Sequence, residues 1–501
     1  MIKRILIALF FSGAALISYS EILFAHSFSD RYKSPVDISF VFLFLCLLMG
    51  LCFLVNQNSF STNQKLAEYP KFNILKIVIL RKFLTNNYIQ FLMKLISVLL
   101  LILIISTSFM GSQNPAANFA PTFVWVIFWT GFGLFCAFIG NIWILLNPWK
   151  TTFEWAEIVI GRKDSQRDIS IWEYPQILDV WPAVSLILLL AWLENIFVGS
   201  TNPLFLGFII SIYSIVTWAG MLAFGKTVWL NKFDPISVTF EVLSTFSIFE
   251  FRGGNKSDNS PIAKKQKENK AMFLRPLSTG LINLRKPSYA KMVFIIALSS
   301  TVIYSAILEV PLWLSIKAYW IAVIQDFMGV SIYSPIPGYL IDFLGMLLFW
   351  RMCFAFYSGV IHLLKILLRS QVSALELKLH LIWILLPLTI FINFAHEFAF
   401  FLVDAQMIIP LISDPFGFGW NLFGTVDFGR NLPHFDAKIA FLVLLISIMI
   451  GGVYSVIVSN VLIKQIIDSD RTYILSKLPL FVFFLVFMMI GVLLVSQPML
   501  L

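Results

Sequence analysis

Charge is what this sequence lacks. Only 13% of its 501 residues are Asp, Glu, Lys or Arg, about half of the ~25% that soluble globular chains carry. That shortage excludes a soluble enzyme, a solvated disordered chain and a nucleic-acid-binding domain. Cysteine is scarce as well. Cys46, Cys52, Cys136 and Cys353 all stand in apolar runs, and none forms a CxxC pair. They read as buried thiols that pack as small apolar groups, and no disulfide framework is implied.

What is present instead is apolar. The chain is 59% hydrophobic and carries 51 Phe. Runs long enough to cross a bilayer as a helix recur along its whole length. The expected fold class is an all-α polytopic membrane protein with eleven spans: 4–24, 38–55, 92–110, 121–146, 181–198, 203–224, 292–314, 338–366, 379–403, 438–463 and 477–497. The first has Lys3 and Arg4 ahead of its apolar stretch and small residues up to Ala25. It fits a cleaved signal peptide, leaving ten spans, or an uncleaved first helix. Both readings stay open.

Loop charge sets the sides. Residues 56–91 carry five basic residues against Glu68, a net of +4, and residues 252–291 carry ten against Asp258 and Glu268, a net of +8. Both are expected to be cytoplasmic. The uncharged loop 111–120 and the loop 404–437, at net −3, are expected outside. Eleven spans with the N-terminus inside and the C-terminus outside satisfy all four loops. The resulting divisions are 1–25 as signal peptide or first helix, 26–251 as spans 2–6, 252–291 as a basic cytoplasmic linker, and 292–501 as spans 7–11 with the outer loop 404–437. Residues 237–250 are too short to span and are expected as an interfacial or re-entrant helix. Residues 318–334 are expected as a helix on the outer surface.

Two motifs fail on chemistry. Gly220–Thr227 (GMLAFGKT) matches a phosphate-binding loop in letters only, because it ends a membrane span and apolar side chains fill the loop. Lys226 is expected as an interfacial anchor, and no nucleotide is expected. His396–Phe400 (HEFAF) lacks the second His of a zinc helix.

Ionisable groups at membrane depth are the functional candidates. Glu194, Glu309 and Glu397 all fall toward the outer ends of their spans. Asn393, His396 and Glu397 share one helical face by i, i+3, i+4 spacing. His26 and His434 belong on the same side, with Asp30, Asp414 and Asp427, whereas His362 and His380 belong near the cytoplasm. Histidine beside carboxylates suits a metal that activates water, or a general acid/base pair. A divalent metal would take His26 and His396. An N-terminal His26, after cleavage at Ala25, suits copper. Arg351 lies mid-span and calls for a glutamate partner.

The segment 114–147 (NPAANFAPTFVWVIFWTGFGLFCAFIGNIWILLN), with AHSFSDR at 25–31, YPQILDVWPAV at 174–184, LAWLE at 190–194, LRPLSTGL at 274–281, FAHEF at 394–398 and LISDPFGFGWNLFGT at 411–425, resembles the multi-pass bacterial membrane proteins labelled fenitrothion hydrolase. In the match to 438–464 the chain has GGVYSVIVSN where family members carry further histidines. The resemblance implies an inner-membrane protein that hydrolyses an organophosphorus triester, with a second membrane or periplasmic protein as partner. Carried to matching positions, it marks His26, Asn118, Glu194, His396, Asp414 and Asn421. Combined with the residue reading, the catalytic candidates are His396, Glu397, Glu194 and Asp414. The substrate-binding candidates are Asn118, Asn421 and Glu309. A membrane hydrolase is the leading expectation. A membrane scaffold or copper-handling assembly factor and a transporter are the alternatives.

Overall fold

The computed structural model describes residues 38–58, 72–161, 170–252, 271–329, 331, 334–429, 437–466 and 477–495. Seven helices among them are long and apolar enough to cross a membrane: Asn87–Met110, Phe119–Phe138, Pro203–Phe224, Tyr289–Ile307, Ile336–Leu368, Ala374–Phe398 and Phe441–Lys464. Shorter apolar helices include Trp181–Asn195, Pro235–Ser244 and Leu478–Leu493. A helix is forced where a chain meets lipid, because it satisfies every backbone group internally. The first expected span, 4–24, lies outside the described residues. The later ones fall on helices, two of them on a pair of helices rather than one.

Local sequence explains where these helices start. Asn147, Asn202 and Asp234 each accept hydrogen bonds from backbone N–H groups of the first turn, and each is followed by proline at the first helical position. The side-chain oxygen satisfies an orphan donor, and proline has no N–H to leave unsatisfied. The same proline logic corrects one expectation. The span 292–314 ends at Ile307, and Pro311 opens a separate helix, Pro311–Met328. Many of its apolar side chains are exposed, among them Leu312, Tyr319 and Phe327. The span 121–146 is also divided. Phe119–Phe138 is followed by a break with Gly140 at φ 154°, then by the short helix Trp143–Leu146. Between Thr122 and Phe132 the backbone winds as a π-helix, a rare geometry that recurs at functional sites.

The Tyr289–Ile307 helix is central, with 78% of its apolar window buried against 17% for Asn87–Met110. It packs on Trp181–Asn195, Leu385–Asp404 and Ile336–Leu368. The segment 237–250 is two elements. Pro235–Ser244 is a helix with Pro235, Val238, Thr239, Phe240 and Val242 buried, and Phe249–Arg252 is a strand.

Two pairs of loops meet. A three-stranded antiparallel sheet runs in the order β1 (Phe72–Asn73), β3 (Ala271–Leu274), β2 (Phe249–Arg252), with Phe72 opposite Leu274 and Glu250 opposite Phe273. It joins the two basic loops. Arg275 follows β3 and is buried. Its Nε donates to Ser247 O at 2.9 Å and its Nη2 to Ser244 O and Thr245 O at 3.0 Å. The guanidinium thus closes the carbonyl end of the Pro235–Ser244 helix, where a cation also suits the helix dipole. The uncharged and acidic loops meet as well. Ser112 N–H donates to Phe416 O at 2.7 Å, and Phe119 N–H to Pro415 O at 3.1 Å.

Candidate functional site

Glu194 lies in the last turn of the Trp181–Asn195 helix. Trp129, from the π-helical stretch, donates its indole N–H to Glu194 Oε2 at 2.9 Å. Asn195 Nδ2 stands 3.5 Å from the same oxygen. A carboxylate between apolar helices needs such donors, because water cannot supply them freely. Asn393 and Glu397, one helical turn apart on Leu385–Asp404, face the same space.

That space is a cavity of about 70 Å³. Glu194, Glu397, Asn195 and Asn393 line it, and hydroxyls line it from Thr130, Thr239, Thr301, Ser305 and Thr389. Thr239 belongs to the buried Pro235–Ser244 helix. Among the described residues no Lys, Arg or His stands in its wall. The cavity thus offers two carboxylates and a set of small hydrogen-bonding groups, with no built-in counter-charge. A cavity of about 150 Å³ admits benzene, so this one holds a few waters or a small polar group.

His396 is near this cavity without lining it. Its Nε2 is 3.8 Å from Glu397 Oε1, beyond a hydrogen bond. Glu309 is exposed and lies within electrostatic range of His396. The shared face expected for Asn393, His396 and Glu397 therefore divides. The i, i+4 pair points into the cavity, and the histidine sits beside it.

The other candidates take part in loop architecture. Asn118 donates through Nδ2 to Thr107 O and Ser112 O, both at 2.8 Å, and accepts from Ala120 N–H at 2.9 Å. Asp414 accepts from Phe418 N–H at 3.0 Å and Gly419 N–H at 2.7 Å. Asn421 Oδ1 accepts from the Ser413 hydroxyl at 3.2 Å. The turn they hold needs Gly417 at φ +69°, where a Cβ would come within 2.5 Å of Ala117 O. These are the two long blocks of the resemblance, 114–147 and 411–425, knotted together. His26, Asp30 and His434 lie outside the described residues. Among the described residues no group of three His, Cys, Asp or Glu could hold a metal ion, so the described part of this face does not fit one.

Several polar groups lie away from this cavity, and all but Lys226 and Arg351 are unmarked by the sequence. Lys226 is buried, and its Nζ is 2.8 Å from Glu157 Oε2. It is not an interfacial anchor. Asp342 is buried against Lys317 and accepts from Trp313 Nε1 at 2.9 Å. Tyr213 donates to Asp234. Arg351 is exposed and lies over the Phe354 ring at 5.5 Å, and among the described residues no carboxylate pairs with it.

The fold and cavity define a class: a largely helical protein of the multi-pass membrane type with a carboxylate-bearing cavity among its helices. No protein-family model, curated protein or solved structure matches the chain.

Proposed function

We propose that this is a bacterial inner-membrane hydrolase whose reaction is carried by Glu194 and Glu397. The observation behind this reading is that the two carboxylates face one small, mainly apolar cavity that also carries hydroxyl and amide groups. One glutamate takes a proton from water as that oxygen bonds to the electrophilic centre. The other gives a proton to the oxygen that leaves. A neutral phosphotriester, the substrate class implied by the resemblance to fenitrothion hydrolases, suits this chemistry: its P–O bond breaks and an alcohol departs. Positioned acid/base groups contribute about 10²–10⁴-fold to such rates. His396 stands beside Glu397, and Asn118, Asp414 and Asn421 hold the two outer loops together.

The proposed arrangement has eleven spans, with the N-terminus inside and the cavity nearer the outer face. Two contacts support the sides. The basic loops 56–91 and 252–291 share a sheet, and the loops 111–120 and 404–437 hydrogen-bond to each other. A second membrane or periplasmic protein would dock on the latter pair.

The test is hydrolysis of a neutral aryl phosphotriester by the protein in lipid vesicles, beside Glu194→Gln and Glu397→Gln. Each substitution is expected to lower kcat at least about 100-fold while the protein remains folded. Turnover that is absent in the parent, or unchanged in both variants, would end this reading. Cation- or proton-coupled transport is the second reading, favoured by the small volume and hydroxyl lining of the cavity. It predicts glutamate-dependent ion flux across sealed vesicles and no hydrolysis.

A further inference from the structure

The carboxylate-bearing cavity has an apolar neighbour. A crevice of about 500 Å³ runs between the Asn87–Met110 and Pro203–Phe224 helices on one side and Trp181–Asn195 on the other. That volume falls within the range of small-molecule sites, about seven times that of the carboxylate-bearing cavity. Leu189, Leu193 and Ile209 are typical of its walls. The Trp181–Asn195 helix packs on Tyr289–Ile307 and Pro235–Ser244, so its other side is left facing the crevice.

Among the described residues Trp129 is the one that lines both spaces. Its ring is a wall of the crevice, and its N–H is bonded to Glu194. Deeper in, the partition is solid. Phe240 is fully buried and packs edge-on against Phe128, Phe132 and Trp143. The bodies of the Trp181–Asn195 and Phe119–Phe138 helices lie between the two spaces, and the Trp129 side chain, hydrogen-bonded to Glu194, is where the linings meet.

Size and charge then select an occupant. The cavity is too small for a substrate's apolar body, and the crevice is almost without polar surface. Among the described residues the cavity has two carboxylates and no cation in its wall, so an anionic head would be repelled in a medium where like charges interact strongly. We infer that the substrate is an amphiphile with an apolar chain and a non-anionic head, which lies in the crevice and reaches Glu194 and Glu397 past Trp129. This rests on the reading of Glu194 and Glu397 as the reacting pair. It adds the route of entry and the class of molecule that takes it.

The experiment uses the full chain in phosphatidylcholine vesicles with matched long-chain amine, alcohol and sulfonate probes, each carrying a photoactivatable group in the chain. Adducts are mapped by mass spectrometry. The amine and the alcohol are expected to label the crevice about tenfold more than the sulfonate, the factor that accompanies 1.4 kcal/mol. Filling the crevice by Ile209→Trp, or from the opposite wall by Leu189→Trp, is expected to remove that labelling and leave adducts at the exposed Leu344 and Leu348 unchanged. Trp129→Ala is expected to extend adducts to Thr130 and Ala191. Equal labelling by all three probes at the crevice and at Leu344 and Leu348 means surrounding lipid only, and overturns the inference. Labelling needs no turnover. Selective labelling without hydrolysis leaves the substrate class standing while the assigned reaction falls, and hydrolysis without selective labelling does the reverse.

Discussion

Replacing Lys226 by Met tests the buried ion pair. Lys226 opens the Lys226–Lys232 helix just after Gly225, at φ +88°. A cation there opposes the positive end of the helix dipole, so a nearby anion must compensate it. Glu157 does so at 2.8 Å, and the two side chains are 8% and 6% exposed. With both groups buried, removing the lysine leaves the Glu157 carboxylate without its cation, which costs about 3–5 kcal/mol, whereas replacing both by apolar groups of similar volume is often close to neutral. Lys226→Met is therefore expected to lower stability in detergent by about 3–5 kcal/mol, and Glu157→Met by a smaller amount. The double variant is expected to recover most of the loss. Denaturant titration of the purified protein, followed by tryptophan fluorescence, reads all three. A single variant as stable as the parent would refute the argument, as would a double variant as unstable as the sum of the singles. The same preparations are expected to show no stabilisation by ATP, since Lys226 is committed to Glu157.

Further expectations follow from the same geometry. Gly220→Ala places a methyl 2.3 Å from the Trp229 ring, and is expected to cost about 1–3 kcal/mol by overpacking, seen as a lower melting temperature. Asp414→Ala removes acceptors from Phe418 and Gly419 N–H, and is expected to increase proteolysis near 414–421 while labelling of the crevice persists. Arg275→Lys keeps the charge but loses the planar donor set that reaches Ser244, Thr245 and Ser247. It is expected to speed hydrogen exchange at β2 and β3, measured by mass spectrometry.

Much of the fold is legible in the sequence, because lipid leaves a chain few options. Apolar length alone locates the helices from residue 38 onward. Loop charge groups 56–91 with 252–291, and the pairing of Phe72 with Leu274 brings those loops together. The breaks are harder to read. Pro311 looks like part of a continuing apolar run, and only its fitness for the first helical position marks the boundary. The strands of the sheet have two to four residues, too few for alternation to register. The site is half legible. Glu194 and Glu397 stand out because carboxylates are costly at membrane depth. Trp129, 65 residues from Glu194 in sequence, has no local signal, since tryptophan is common here and the pairing is tertiary. Asp414, ahead of Pro415, and Asn118, at a helix start, carry a legible capping signal. Their hydrogen bonds follow that signal rather than a chemical one.

The central claim is that Glu194 and Glu397 face each other across one cavity. In a background with Cys46, Cys52, Cys136 and Cys353 replaced by Ala, Glu194→Cys is combined with Glu397→Cys and treated with a short bifunctional thiol reagent. Leu189→Cys with Glu397→Cys is the control, because Leu189 lines the crevice and not the cavity. The account predicts cross-linking in the first pair and none in the control. No cross-link in the first pair, with both thiols shown to be reactive, would contradict it.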